Sequence, residues 1–87
     1  MKNLYEYEKE RSYNWVKGSI RGYLSERKPG STLERTIGTI KRSLNYATAT
    51  ISKQQLHEIL NDDEFTKYRD SNRYKDLTER CKEEDLL

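Results

Sequence analysis

The run STLERTIGTIKRSLNYATATISKQQLHEIL, Ser31 to Leu60, decides how this chain folds, because it carries two helix starts and two apolar stripes at helical spacing. Its opening, Ser31-Thr32-Leu33-Glu34, has the form of a capping box: the serine hydroxyl accepts from the amide of Glu34, and that carboxylate reaches back to the serine amide. Behind it Leu33, Ile37, Ile40, Leu44 and Ala47 recur at steps of four and three, which puts them along one face of a helix. Arg35, Lys41 and Arg42 fall on the other face. Gly38 weakens the helix by about 1 kcal/mol relative to alanine, a loss that a close crossing by another helix would offset. β-Branched residues gather between Asn45 and Ile51, so the helix is expected to end near Ala47, with room for a short extended piece. Ser52-Lys53-Gln54-Gln55 is a second capping box, and Ile51 and Leu56 occupy the two positions of a hydrophobic staple. The helix it opens buries Leu56, Ile59 and Leu60, exposes Lys53, Gln54, His57 and Glu58, and stops near Asn61.

Upstream, Asn3 to Arg27 contains no proline, and Tyr5, Tyr13, Val16, Ile20, Tyr23 and Leu24 follow the spacing of one helical face. Gly18 and Gly22, four residues apart, share a side of this helix, and close packing in the core is their expected use. Pro29 and Gly30 then end the helix and reverse the chain. Downstream, Asp62-Asp63-Glu64 is suited to cap a turn bearing Phe65 and Tyr68. Asp70-Ser71-Asn72 marks a break, and a last helix carries Tyr74, Leu77 and Cys81 on one face. The expectation is an all-α, single-domain chain: a small three-helix domain, a helical hairpin plus a third helix, with a C-terminal helical extension. Its acidic tail, about residues 82–87, is expected to fray.

Hydrophobic residues make up 32% of the 87 and charged residues 37%, a balance that specifies a core only because the aliphatics are placed periodically. The net charge of +2 is too small to mark a polyanion binder, but it is unevenly distributed. Residues 1–30 carry +3, residues 31–60 carry +2 and residues 61–87 carry −3. The lone cysteine, Cys81, excludes an intrachain disulfide, and no apolar run is long enough for a membrane span or signal peptide. A soluble, cytoplasmic protein with no membrane association is expected.

Enzyme chemistry finds no footing. His57 is the only histidine and has no local nucleophile, Glu6, Glu8 and Glu10 alternate rather than converge, and one Cys with one His cannot build a zinc site. No glycine-rich phosphate loop is present. Catalytic, cofactor and metal residues are therefore all expected to be absent.

Two binding functions fit the residues. Ile51 to Leu60 matches the second half of a helix-turn-helix, with a polar cap after an aliphatic residue and an exposed first turn. On that reading residues 33–60 make a small DNA-binding regulator of transcription. Lys53, Gln54 and His57 face the groove of duplex DNA, and Arg35, Lys41 and Arg42 contact phosphates. The preceding turn fits less well, since its usual small residue falls on Tyr46 and it lacks glycine, while Glu58 and Asp62-Asp63-Glu64 would repel the DNA backbone. The alternative is an inhibitor or adaptor that docks an aromatic and basic helix face, Tyr5, Tyr13, Trp15 and Arg11, on a larger protein, for which Trp, Tyr and Arg are favoured. The regular stripe of the second helix also suits a homodimer.

Overall fold

From residue 30 onward, helix starts in this chain are set by side chains that capture free amides. The computed structural model describes residues 4–26, 30–45 and 51–87, with all their side chains except those at positions 4, 5, 8 and 45. In order they form α1 (Leu4–Ser25), α2 (Leu33–Asn45), α3 (Lys53–Leu60), a 3₁₀ helix (Asp63–Tyr68) and α4 (Asn72–Glu83). No strand occurs among the described residues, and the molecule is all-α. The expected end near Ala47, the extended piece after it and the turn around Tyr46 lie outside the described residues.

The capping box at α3 is formed as the sequence dictates: Gln55 N–H donates to Ser52 Oγ at 3.1 Å, and Ser52 N–H donates to Gln55 Oε1 at 2.8 Å. Its staple is closed too, with Ile51 and Leu56 both buried. Asp62 starts the 3₁₀ helix by accepting from Glu64 N–H at 2.8 Å, and Ser71 starts α4 by accepting from Tyr74 N–H at 3.2 Å. The box read at Ser31 is corrected by one residue. Thr32 Oγ1 accepts from Arg35 N–H at 3.2 Å, while the Glu34 carboxylate leaves the helix end for Arg80, at 2.6 and 3.0 Å. A bidentate charge-assisted pair outweighs a single bond to a backbone amide.

Helices α1 and α2 run antiparallel: Trp15 lies under Arg42, Ser19 beside Thr36 and Thr39, and Gly22 against Ser31. Val16, Ile20, Tyr23 and Leu24 from α1 meet Ile37 and Ile40 from α2 in a core completed by Leu56, Ile59, Leu60, Phe65, Leu77 and Cys81. The α2 stripe differs from its expected form. Leu33 and Leu44 are only partly buried, whereas Thr36, Thr39 and Ser43 are buried, each donating its hydroxyl to the carbonyl four residues back at 2.9 to 3.1 Å. These short side chains satisfy themselves and allow α1 to approach.

Gly38 serves no crossing. A Cβ built there would meet nothing within 4 Å. Gly38→Ala is therefore expected to stabilise the protein by about 1 kcal/mol, raising Tm by roughly 4–8 °C in a calorimetric scan. An unchanged or lower Tm would show that the glycine is needed for close approach after all.

The C-terminal helical extension is α4, and it forms a wall of the core, since Leu77 and Cys81 are fully buried. Tyr74 Oη–H donates to Leu60 O at 2.8 Å, and Arg73 Nη1–H donates to Tyr23 O at 2.8 Å while its guanidinium stacks on the Tyr23 ring. The expected frayed tail is instead closed by a Schellman turn. Asp85 adopts a left-handed φ of 58°, its amide bonds Lys82 O at 3.1 Å, and the amide of Leu86 bonds Cys81 O at 2.8 Å. Burial of Leu86 against the core anchors the turn, and Glu84 binds both Lys41 and Arg80.

Candidate interaction surface

At about 100° per residue, Tyr7, Arg11, Asn14, Trp15, Gly18 and Gly22 fall within an arc of about 100° on α1, opposite Val16, Ile20 and Tyr23. This outward face carries the two exposed large hydrophobic residues found among the described ones, Tyr7 at 60% and Trp15 at 50%. Apolar surface left in water is unfavourable by about 25 cal/mol per Å².

Beside Trp15 the face opens into a groove of about 720 Å³, within the range of ordinary ligand pockets. Gly18, Ser19, Gly22 and Ser25 make its floor, and Lys67 and Tyr68 its far wall. A smaller hollow of about 240 Å³ continues past Ser19 and Ser31 to Arg35. The expected use of the glycine pair in close packing is corrected here for Gly18. A Cβ on Gly18 would meet nothing within 4 Å, and one on Gly22 would meet only Ser31 Oγ, at 3.3 Å. Gly18 borders open space because the core lies on the opposite side of α1, whereas Gly22 keeps a close approach to Ser31.

Two ion pairs join α1 to the segment after α3, and one of them, Arg21 with Glu64, lines the groove. Arg21 grips Glu64 through three contacts of 2.8 to 3.0 Å, and Lys17 Nζ lies 2.8 Å from Asp62 Oδ2. Bonding by Arg21 holds the Glu64 carboxyl below its ordinary range, and Lys17 does the same for Asp62. Two of the three carboxylates of the acidic run, Asp62 and Glu64, are thus engaged by α1. Around the groove stand Arg35, Arg42 and Lys67, none of which has a carboxylate partner among the described residues. Arg42 covers Trp15 at 5.7 Å, Lys67 lies 5.2 Å from the Tyr68 ring centre, and Arg35 reaches only the Gly30 carbonyl, at 3.4 Å.

The sequence-predicted DNA residues divide between two edges. Lys53, Gln54 and His57 are brought together on the exposed side of α3. Lys53 Nζ lies 3.5 Å from Asp85 Oδ1, and Lys41 is bound by Glu84, so both stand beside carboxylates from the end of α4. Arg35 and Arg42 share the other edge of α2, about 100° or more from Lys41, facing Trp15 and the groove. Of the alternative set, Trp15 and Arg11 are exposed and Tyr13 packs partly against the core. The Tyr5 side chain lies outside the described residues. Lys67 and Tyr68, which complete the groove, were not singled out as interface residues. Nothing in their local pattern marks them, because only tertiary packing carries them to α1.

Cys81 is fully buried, and burial pushes its thiol up to about 11, which leaves it unreactive at neutral pH. Among the described residues no three His, Cys, Asp or Glu side chains stand close enough to share a metal ion, and no helix is long and apolar enough to cross a membrane. No protein-family model, no curated protein and no solved structure matches this chain.

Proposed function

We propose that this protein is a small non-enzymatic protein-binding module, an adaptor or inhibitor, that docks the Trp15 face of α1 on a larger protein. The observation that carries this reading is Trp15 itself, half exposed at the mouth of the groove and braced by Arg42. A tryptophan already held in one orientation loses little side-chain freedom on binding, and Trp, Tyr and Arg dominate interface energetics. Duplex-DNA reading needs base-reading and phosphate-contacting residues on one surface. Lys53 and Lys41 beside Asp85 and Glu84, with Arg35 and Arg42 on another edge, favour it less.

The test compares three forms of the immobilised full chain in nuclease-treated extract: wild type, Trp15→Ala, and Lys53→Ala with Gln54→Ala. A discrete partner is expected to bind wild type and the α3 double variant alike, and to lose about 2 kcal/mol of affinity, roughly thirtyfold, with Trp15→Ala. Trp15 is outside the core, so this variant keeps its fold. In a parallel titration of the same three forms with added duplex DNA in buffer, salt-dependent binding that falls with the α3 variant and ignores Trp15→Ala would overturn the proposal in favour of the DNA reader.

A further inference from the structure

We infer that the segment received by this face is an acidic amphipathic helix of the partner protein, laid along α1 across Gly18 and Gly22 with its carboxylates toward Arg35, Arg42 and Lys67; the inference rests on the docking reading above. Charge chooses the sign. The groove's own acid, Glu64, is already bound to Arg21, while three cations around it have no carboxylate partner among the described residues. Rim charges of one sign select a partner of the other and repel their like. A second copy of this chain would set one cationic rim against another, so the rim disfavours self-pairing through this face.

Backbone chemistry chooses the helix. Every amide and carbonyl in the middle of α1 is bonded within the helix, so this face offers an extended segment no backbone partners. A helix arrives with its own backbone satisfied. It also matches the shape, because the face from Tyr7 to Gly22 runs straight for about 22 Å, and its floor of Gly18, Ser19, Gly22 and Ser25 lets a second helix come close beside Trp15. The apolar stripe of the incoming helix meets Trp15 and Tyr68 while its flanking carboxylates reach the rim.

Trp15 is the only tryptophan, so its emission reports occupancy of the groove directly. The probe is a capped helical peptide of Glu, Leu and Ala heptads, about 21 residues long so that it holds its helix. Three controls accompany it: a Lys-for-Glu counterpart, a polyglutamate coil and single-stranded DNA. Saturable blue-shifted emission is expected with the acidic helix alone. Gly18→Leu should keep a Tm at or above wild type, since open space receives the side chain, yet weaken the peptide at least tenfold by filling the floor. Arg35→Glu with Arg42→Glu should weaken it at least tenfold as well.

No saturable shift with the acidic helix, equal binding of polyglutamate or DNA, or binding unaffected by Gly18→Leu would each overturn the inference. Tighter association of the chain with itself than with the peptide, measured by sedimentation, would replace the acidic helix with a second copy. The two levels separate cleanly. If the captured partner is lost with Trp15→Ala but ignores Gly18→Leu and the rim reversals, docking stands and the acidic helix falls. If Trp15→Ala changes nothing, both fall.

Discussion

Replacing Phe65 with alanine is expected to destabilise the protein by about 3–5 kcal/mol, the usual range for removing a buried aromatic ring. Phe65 is fully buried although it sits in a six-residue 3₁₀ helix, a conformation with little stability of its own. The ring is what fastens this segment to the core. Its loss also loosens Asp62 and Glu64, which are placed by the same segment to hold Lys17 and Arg21. A chain of this size has a total stability of about 4–13 kcal/mol at 0.05–0.15 kcal/mol per residue, so the variant should sit near the edge of folding. Urea denaturation followed by circular dichroism measures the change. A loss below about 1 kcal/mol, the scale of a surface substitution, would mean that the 3₁₀ helix is an outer strap over an independent core.

The second large effect is Leu77→Ala, with an expected loss of about 2–5 kcal/mol. Leu77 and Cys81 are fully buried, Tyr74 bonds the last carbonyl of α3, and Arg73 bonds the C-terminal end of α1, so α4 closes the core from one side. If α4 were an appended extension, removing one of its leucines would move global stability by no more than about 0.5 kcal/mol. The urea midpoint should fall while the slope of the transition stays the same, as expected when packing is lost from one cooperative unit. A two-step transition with an unchanged second midpoint would instead make α4 a separate folding unit.

Both predictions concern residues whose type was readable and whose weight was not. Leu77 and Phe65 stand in short segments with few apolar neighbours in sequence, and both are buried in the one core cluster that residues of α1, α2 and α3 also form. The same limit applied to the tail. Six residues with three acids read as a frayed end, yet Leu86 reaches the core and Asp85 accepts a left-handed backbone to let it do so. At α2 the apolar spacing located the helix but missed its buried arc, because Thr36, Thr39 and Ser43 satisfy their hydroxyls within their own helix and so behave as small core residues.

The candidate surface was half legible. Trp15, Arg11 and the glycine pair were visible as a mixed aromatic, basic and small-residue face, but whether that face looked inward or outward was not. The answer depended on which side of α1 the other helices took, and Gly18 turned out to border open space while Gly22 lay against Ser31.

What the sequence determined by itself is the set of helices and, to within a residue, the starts of those from α2 onward, because capping and apolar periodicity act over three or four residues. Ser52 with Gln55 is the clearest instance, formed atom for atom. What only the tertiary structure decided is where the charges went and which face of α1 remained open. Ion pairs such as Arg21 with Glu64 and Arg80 with Glu34 join residues more than forty positions apart. Their formation, with that of Lys17 and Asp62, engaged two carboxylates of the acidic run and broke the first capping box, and left Arg35, Arg42 and Lys67 around Trp15 without carboxylate partners among the described residues. Charge pairing of this kind is a property of distance in space, which local sequence spacing does not encode.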